Sequence, residues 1–489
     1  MVMNASPETM LACTSGTSGR VALLPTTPEM SKTFFSRGIL VLFDVLARRG
    51  HLDHLQRSCK LTFAATPRAT PAGLRIGPNS SGPKDRSFAK LRPILYSSPA
   101  AAYEISHDEE AALYVHALFA ARDQGLGILE ANFCTLPARV LGLLGDAGWN
   151  SRIAKDVETA TLDAAIAARV GPELTARLEA DLRAPAPDRA AEIRAAAADA
   201  SPGLALRLWP TLRLILANGT GAFAPRAARL RDGAGRGVPV LSTILAASEG
   251  LMGVGLEPSD DGGSAYCLVP RAMFFEFLPV GAAADATTLL ADELTEGHAY
   301  ELVVTTLGGL CRYRIGDVVE FRGRHGRAPV CKFRYRAGQV LNVRGEKMSE
   351  EALQRAVDSA LGPVVFAATE CHDTASAPGY DVLVAGTVSL DASEQLDDAL
   401  CAENDVFAGW RAKGAIAATR VVEVEPDAFD ELRRRKCAAT GSSQQYKQPR
   451  VLTRPEDVAL LRRRRDEPAN EEPAPGTLRA VAVWARRHA

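Results

Sequence analysis

The sequence predicts an α/β fold: a large N-terminal α/β domain with buried sheets, then a small mobile α+β C-terminal domain. Three observations carry this expectation. Short apolar runs at 212–217, 237–244 and 272–280 alternate with helical patterns and read as buried strands of an α/β sheet. Residues 301–321 hold two more strands with alternating faces around a Gly308-Gly309 turn, as in a small barrel or antiparallel sheet. Residues 346–460 form a separate α+β pattern, with a helix opening near Ser349-Glu350-Glu351 and strands at 382–388 and 418–424. The expected division is an N-terminal domain over 1–335, a hinge over 336–345, a lid domain over 346–460 and a partly disordered tail over 461–489.

Taken in order, the elements start at Cys13–Arg20, a loop of hydroxyls and glycines. Thr14, Ser15, Thr17 and Ser18 carry hydroxyl groups, and Gly16 and Gly19 let the backbone approach a ligand. Such a loop either wraps an anion with N–H and O–H donors or is a plain turn. Thr27 then caps a helix with Pro28 at its first position, and Phe34, Phe35, Ile39, Leu42 and Leu46 follow at helical spacing. Residues 60–104 read as strand and loop. Asp108-Glu109-Glu110 opens a helix whose acids suit the helix dipole and suggest no metal site. Residues 152–200, rich in Ala, Arg and Asp, read as a helical surface insertion. Arg462–Arg465 reads as a solvated helix end.

Composition excludes several function classes. A net charge of −1 offers no bulk attraction to nucleic acid or to a membrane surface. Aromatic residues, at 6%, are too few for a base-stacking surface. No apolar run approaches the roughly 20 residues of a bilayer span. Nine cysteines form no CxxC pair, which argues against a zinc knuckle or a redox dithiol. Their odd number, with no signal peptide ahead of them, points to a reducing, cytoplasmic setting. The expectation is a monomer acting on small molecules.

Four segments beyond the loop can carry chemistry. Glu249, beside Ser248 and after the run at 237–244, is a carboxylate where α/β sheets bind ligands. It can hold Mg²⁺ on a nucleotide phosphate, or be a helix-start acid capped by Ser248. Gly316-Asp317 can present a carboxylate to the vicinal hydroxyls of a ribose, or be a hairpin turn. Arg336 can reach a ribose or phosphate, or be a surface arginine in an interdomain linker; Ala337-Gly338 beside it is a flexible junction. Lys447, in a polar loop, can neutralise charge between a carboxylate and a phosphate, or be simply solvated.

Together these segments resemble the adenylate-forming superfamily, and within it the plant auxin-responsive (Gretchen Hagen) acyl acid-amido synthetases and their bacterial and animal relatives. The resemblance rests on Thr14–Gly19, Leu208-Trp-Pro-Thr-Leu212, Ala247-Ser-Glu-Gly250, Tyr266–Pro270 with Phe274-Phe-Glu-Phe277, Leu310–Asp317 and Gln445–Arg450. It covers residues 10 to about 460. It implies an ATP-dependent ligase that adenylates a small carboxylic acid and conjugates it to an amino acid, with Mg²⁺ accompanying the ATP. By motif position, Thr14, Ser15, Gly16, Thr17, Ser18 and Gly19 would hold the pyrophosphate side. Ser248 lies beside Glu249, which would bind Mg²⁺; Asp317 would bind the ribose and Arg336 the nucleotide. Lys447 would stabilise the adenylation transition state. The substrate carboxylate is the nucleophile, so no Ser/His/Asp triad is required.

Three departures accompany the resemblance. Ala22 stands where the family usually has a lysine, with Arg20 two residues away. Leu245 stands where it usually has a tyrosine against adenine. The first domain is expected to lack the family's usual first segment. These departures support an alternative expectation, a catalytically inactive member acting as a nucleotide- or protein-binding module.

Overall fold

The computed structural model describes residues 9–14, 22–50, 57–79, 93–106, 108–256, 265–283, 285–337, 339–372, 377–440 and 446–463. The chain opens on a hairpin of β1 (Met10–Cys13) and β2 (Leu23–Thr26), joined by the hydroxyl loop. With β4 (Arg68–Ala69) and β5 (Arg75–Gly77) it forms a small sheet of order β2-β1-β5-β4. The helix Pro28–Thr33 starts as expected, with the Thr27 hydroxyl accepting from the Met30 N–H. A π-helical turn, Phe34–Ile39, then interrupts the pattern before the helix Leu40–Arg48. The wider turn rotates the apolar stripe, so Phe35 faces solvent while Leu42 and Leu46 stay buried.

A four-stranded parallel sheet lies at the centre of the first core. Its strands are β3 (Ser58–Leu61), β6 (Ile128–Phe133), β7 (Leu214–Asn218) and β8 (Val240–Leu241), in that order. The helix Glu109–Arg122, capped by Asp108, buries every residue from Ala111 to Ala121. Five alanines within that stretch let neighbours approach it from all sides. The helices between 147 and 198 are no surface insertion. Ile153, Val157, Ile166, Leu178, Leu182 and Ile193 are buried in the same core. Arg189 is anchored inside, donating to the Ala121 and Leu208 carbonyls at 2.7 and 2.8 Å. The alanine-rich sequence hides this because small residues mark close helix packing as readily as a polar surface.

The second body is a seven-stranded antiparallel sheet of order β12-β13-β14-β15-β11-β10-β9. Its strands are β9 (Ile244–Ala247), β10 (Gly250–Val254), β11 (Ala265–Leu268), β12 (Met273–Pro279), β13 (Ala299–Thr306), β14 (Tyr313–His325) and β15 (Ala328–Arg336). The apolar run at 272–280 therefore belongs here, as edge strand β12, and not to the parallel sheet. Phe275 and Phe277 enter the core while Phe274 faces solvent.

The small domain begins with β16 (Val340–Leu341) and β17 (Met348–Ser349). Its helix Glu350–Leu361 is capped by the Ser349 hydroxyl. A three-stranded sheet follows, of β18 (Phe366–Cys371), β19 (Gly379–Ala385) and β20 (Arg420–Val424). Arg462, in the basic run read as a solvated helix end, ends the helix Pro455–Arg462 and is exposed, and its guanidinium also pairs with the buried Asp381. Most of the tail, from 464 onward, lies outside the described residues. Among the described residues two ion pairs cross the seam to the large body, Arg433 to Glu109 and Arg229 to Asp358. Among the described residues no helix is long and apolar enough to cross a membrane.

Candidate functional site

The hydroxyl loop is closed at its mouth by Thr14. Its N–H donates to the Ala22 carbonyl at 3.0 Å, and its hydroxyl oxygen accepts from the Ala22 N–H at 2.9 Å. Ser15, Gly16, Thr17, Ser18 and Gly19, with Arg20, lie outside the described residues. Next to the mouth, the Ser248 hydroxyl reaches the Cys13 carbonyl at 3.4 Å. That contact brings the turn carrying Glu249 to the base of the loop.

Glu249 occupies the turn between β9 and β10, so it neither ends a parallel strand nor starts a helix. The tightness of this turn rests on Gly250, at φ +140°; a Cβ there would lie 2.9 Å from the Met273 methyl. The Glu249 carboxyl is buried, and burial pushes it above the usual carboxylate range despite Arg336 nearby.

Asp317 is likewise not in a turn. It lies within β14, directly across from Arg336 on β15. The pairing of β13 with β14 slips at Leu302, where Ile315, Gly316 and Asp317 share the space opposite, and Gly316 has φ +81°. This bulge re-aims the strand and sets the Asp317 carboxylate inward, at 6% exposure. Arg336 Nε donates to Asp317 Oδ1 at 2.9 Å. Burial pulls the guanidinium down, but Asp317 and Glu249 outweigh it and hold Arg336 above its ordinary value. Gly338, half of the expected flexible junction, lies outside the described residues.

Lys447 comes from the small domain and meets the large body on an aromatic pair. Phe133 ends β6, and Phe223 sits in the short 3-10 turn after β7; their rings stack at 4.5 Å and 18°. The Lys447 ammonium lies 5.0 Å from the first ring centroid and 5.6 Å from the second. It is half-buried rather than a freely solvated side chain. Burial and then Arg336 lower its pKa; Asp317 and Glu350 counter them. One cluster therefore unites Glu249, Asp317, Arg336 and Lys447, with Thr14 and Ser248 at its border.

Sequence reasoning gave no role to four neighbours. Tyr313 on β14 feels burial, Glu249 and Asp317, which together raise its phenol against Arg336. Glu350 feels burial, which pushes it up to about 7 against Arg450, Lys447 and Arg336. Phe133 and Phe223 come from separate elements, and only the fold pairs them. The segment Asn218–Gly221 borders the same place: the Asn218 side chain accepts from the Thr220 N–H and hydroxyl at 3.0 and 2.9 Å, setting up the turn to Phe223. Leu245 packs into the core of the seven-stranded sheet.

The parts align with known proteins in the same order. Residues 1–240 match the GH3 family N-terminal domain, 266–336 its central domain and 349–456 its C-terminal domain. The indole-3-acetic acid-amido synthetase GH3.8 of Oryza sativa subsp. indica is 31% identical across 94% of this chain and 80% of its own. The human GH3 domain-containing protein is 35% identical over 55% of this chain, which spans about half, 54%, of that relative. A solved GH3.15 acyl acid amido synthetase superposes with a TM-score of 0.77 at 27% identity, covering 93% of this chain and 81% of that one. The same enzyme in complex with 2,4-DB gives 0.76 at 26%, covering 94% and 82%. Three domains matched in sequence, on a shared fold, place the chain in the GH3 family.

Proposed function

We propose that this chain is an ATP-dependent acyl acid-amido synthetase, acting on a small carboxylic acid and an amino acid. The observation that carries the reading is the meeting of Glu249, Asp317, Arg336 and Lys447, which three turns and strands of the large body and one loop of the small domain supply. In the first step a carboxylate oxygen of the acid attacks the α-phosphorus of ATP, and pyrophosphate leaves. In the second the amino acid's deprotonated amine attacks the acyl carbon, and AMP leaves with the bonding electrons. Neither step needs a nucleophile from the protein; both need positioning and charge neutralisation.

The roles follow from chemistry. Asp317 uses one lone pair on Arg336 and keeps others for ribose hydroxyls. Arg336 retains four N–H donors for the nucleotide. Thr14 to Gly19 hold the pyrophosphate side. Lys447 approaches the transferring phosphoryl group as a cation in a partly dry site, where charge counts most. Among the described residues no group of three or more His, Cys, Asp or Glu would hold a metal by itself. A Mg²⁺ carried by ATP asks for one or two carboxylates beside phosphate oxygens and water, and Glu249 fits that demand. The ion would supply charge neutralisation on the phosphates. The names of the full-length relatives do not favour the inactive alternative.

The test is pyrophosphate–ATP exchange across a panel of carboxylic acids. Acid-dependent exchange is expected, and Lys447→Ala should lower it by roughly 3 kcal/mol in transition-state terms, about 10²-fold or more. A folded protein that exchanges with no acid would overturn the reading.

A further inference from the structure

Lys447 rests on the large body but is tethered inside its own domain. Beyond it the chain runs beside β18. The Ala368 N–H donates to the Arg450 carbonyl and the Leu452 N–H to the Ala368 carbonyl, both at 2.7 Å, and Ala368 pairs with Val451 in a parallel bridge. The Thr369 hydroxyl donates to the Leu452 carbonyl at 3.1 Å. These bonds hold the chain from Arg450 onward and leave Lys447 three residues ahead of the first of them. Two side chains fill that gap. Gln448 Nε2 and one terminal N–H of Arg450 both donate to the Phe366 carbonyl, each at 3.0 Å. A carbonyl oxygen has two lone pairs, enough for both arms. The Arg450 guanidinium also lies 4.5 Å from the ring centroid of Phe366, which is fully buried and begins β18. Between the arms stands Pro449, whose ring fixes its own φ and restricts Gln448 to extended backbone.

None of the roles given above uses Gln448 or Arg450. Across the seam the Lys447 ammonium meets the stacked rings of Phe133 and Phe223, a perch with no fixed hydrogen-bond geometry. Its place is therefore set from the backbone side. We propose that Gln448 and Arg450 are positioning residues for the adenylation step: by donating to one carbonyl, that of Phe366, they hold the backbone beside Lys447 so that its ammonium stays over the Phe133–Phe223 pair. The proposal rests on the reading of Lys447 given above. The two arms can be cut separately. Gln448→Met keeps the length of the side chain and removes its donor. Arg450→Met removes the donor and the cation, whereas Arg450→Lys keeps a cation and a donor.

The experiment uses the full chain and two readouts: pyrophosphate–ATP exchange, and acylation of Lys447 by a small anhydride, quantified by peptide mass spectrometry. Gln448→Met and Arg450→Met should each lower the kcat of exchange about tenfold with KM for ATP and acid unchanged, since a misplaced cation costs rate and not binding. Lys447 should be labelled several-fold faster in both. Arg450→Lys should regain most of the rate. The proposal is overturned if kcat per folded molecule and the labelling rate match the unaltered chain in both methionine variants, even where the melting temperature falls; a purely structural role gives that result. A rise in KM for ATP with kcat unchanged overturns it equally. If no acid supports exchange in the unaltered chain but labelling quickens in the variants, the enzyme reading falls and the tether stands. If Arg450→Met fails to fold, Gln448→Met alone decides.

Discussion

The parallel sheet and the seven-stranded sheet serve one site with different chemistry. The parallel sheet contributes through its strand ends: β6 delivers Phe133, and β7 leads by a short turn to Phe223. Its contribution is apolar, and it comes from a break in the ladder: the β6–β7 pairing slips between Glu130 and Phe133, at the end of the strand. The antiparallel sheet contributes charge, and from positions where its regular pattern is broken. Glu249 needs the tight turn before Gly250, and Asp317 needs the bulge at Gly316. A regular ladder sends alternate side chains to fixed faces, so re-aiming a buried carboxylate costs a break in register.

The most forceful way to break this contrast is Asp317→Ala. It leaves the largely covered Arg336 with its hydrogen-bonded partner gone, and should cost about 3 kcal/mol, read as a lower denaturant midpoint. Asp317→Asn, which keeps an acceptor, should cost clearly less; equal losses would show that burial of charge is not the cause. Next comes Gly316→Ala, which adds a Cβ at φ +81° and should cost about 1–2 kcal/mol while lowering exchange through Asp317. An unaffected midpoint would mean the bulge adapts freely. Phe133→Leu removes a stacked ring and a cation–π partner without introducing charge. Its cost should be about 1 kcal/mol, with Lys447 labelled faster by the anhydride. Unchanged labelling would remove the pair from the lysine's surroundings.

The last expected effect is read as a pH dependence rather than at a single pH. Burial pushes the Glu350 carboxyl up to about 7, above its ordinary value of about 4.5. The folded state therefore binds its proton more tightly than the unfolded chain does. That contribution to stability is complete below about 4.5 and is lost as pH rises through about 7. Glu350→Gln should flatten the stability profile over that window, which thermal melts at several pH values will show. An unchanged slope there contradicts the folded value.

What could be read from the sequence was set by local chemistry. The Thr27-Pro28 and Ser349-Glu350 helix starts needed only a cap and a neighbouring residue. The strand at 214–218 announced itself by four consecutive buried positions. The run at 272–280 has the same apolar look, yet its place depends on pairing with β13, which no local pattern encodes. Gly316 was legible as a turn residue because positive φ serves turns and bulges alike. Glu249, Asp317, Arg336 and Lys447 were found through motif order, and the fold gathers them. Phe133 had no such cue: it is ordinary in its own segment and meets Lys447 only through tertiary packing.

The two ion pairs across the seam carry a consequence of their own. Arg229 is half-exposed, and Arg433 and Asp358 are more than a quarter so. Pairs of this kind contribute at most about 1 kcal/mol each, and dissolved ions screen them over about 10 Å at 0.1 M. The separate apolar cores of the large body and the small domain are indifferent to such screening. Ionic strength therefore acts as a dial on how firmly the two halves hold one another, leaving each half intact.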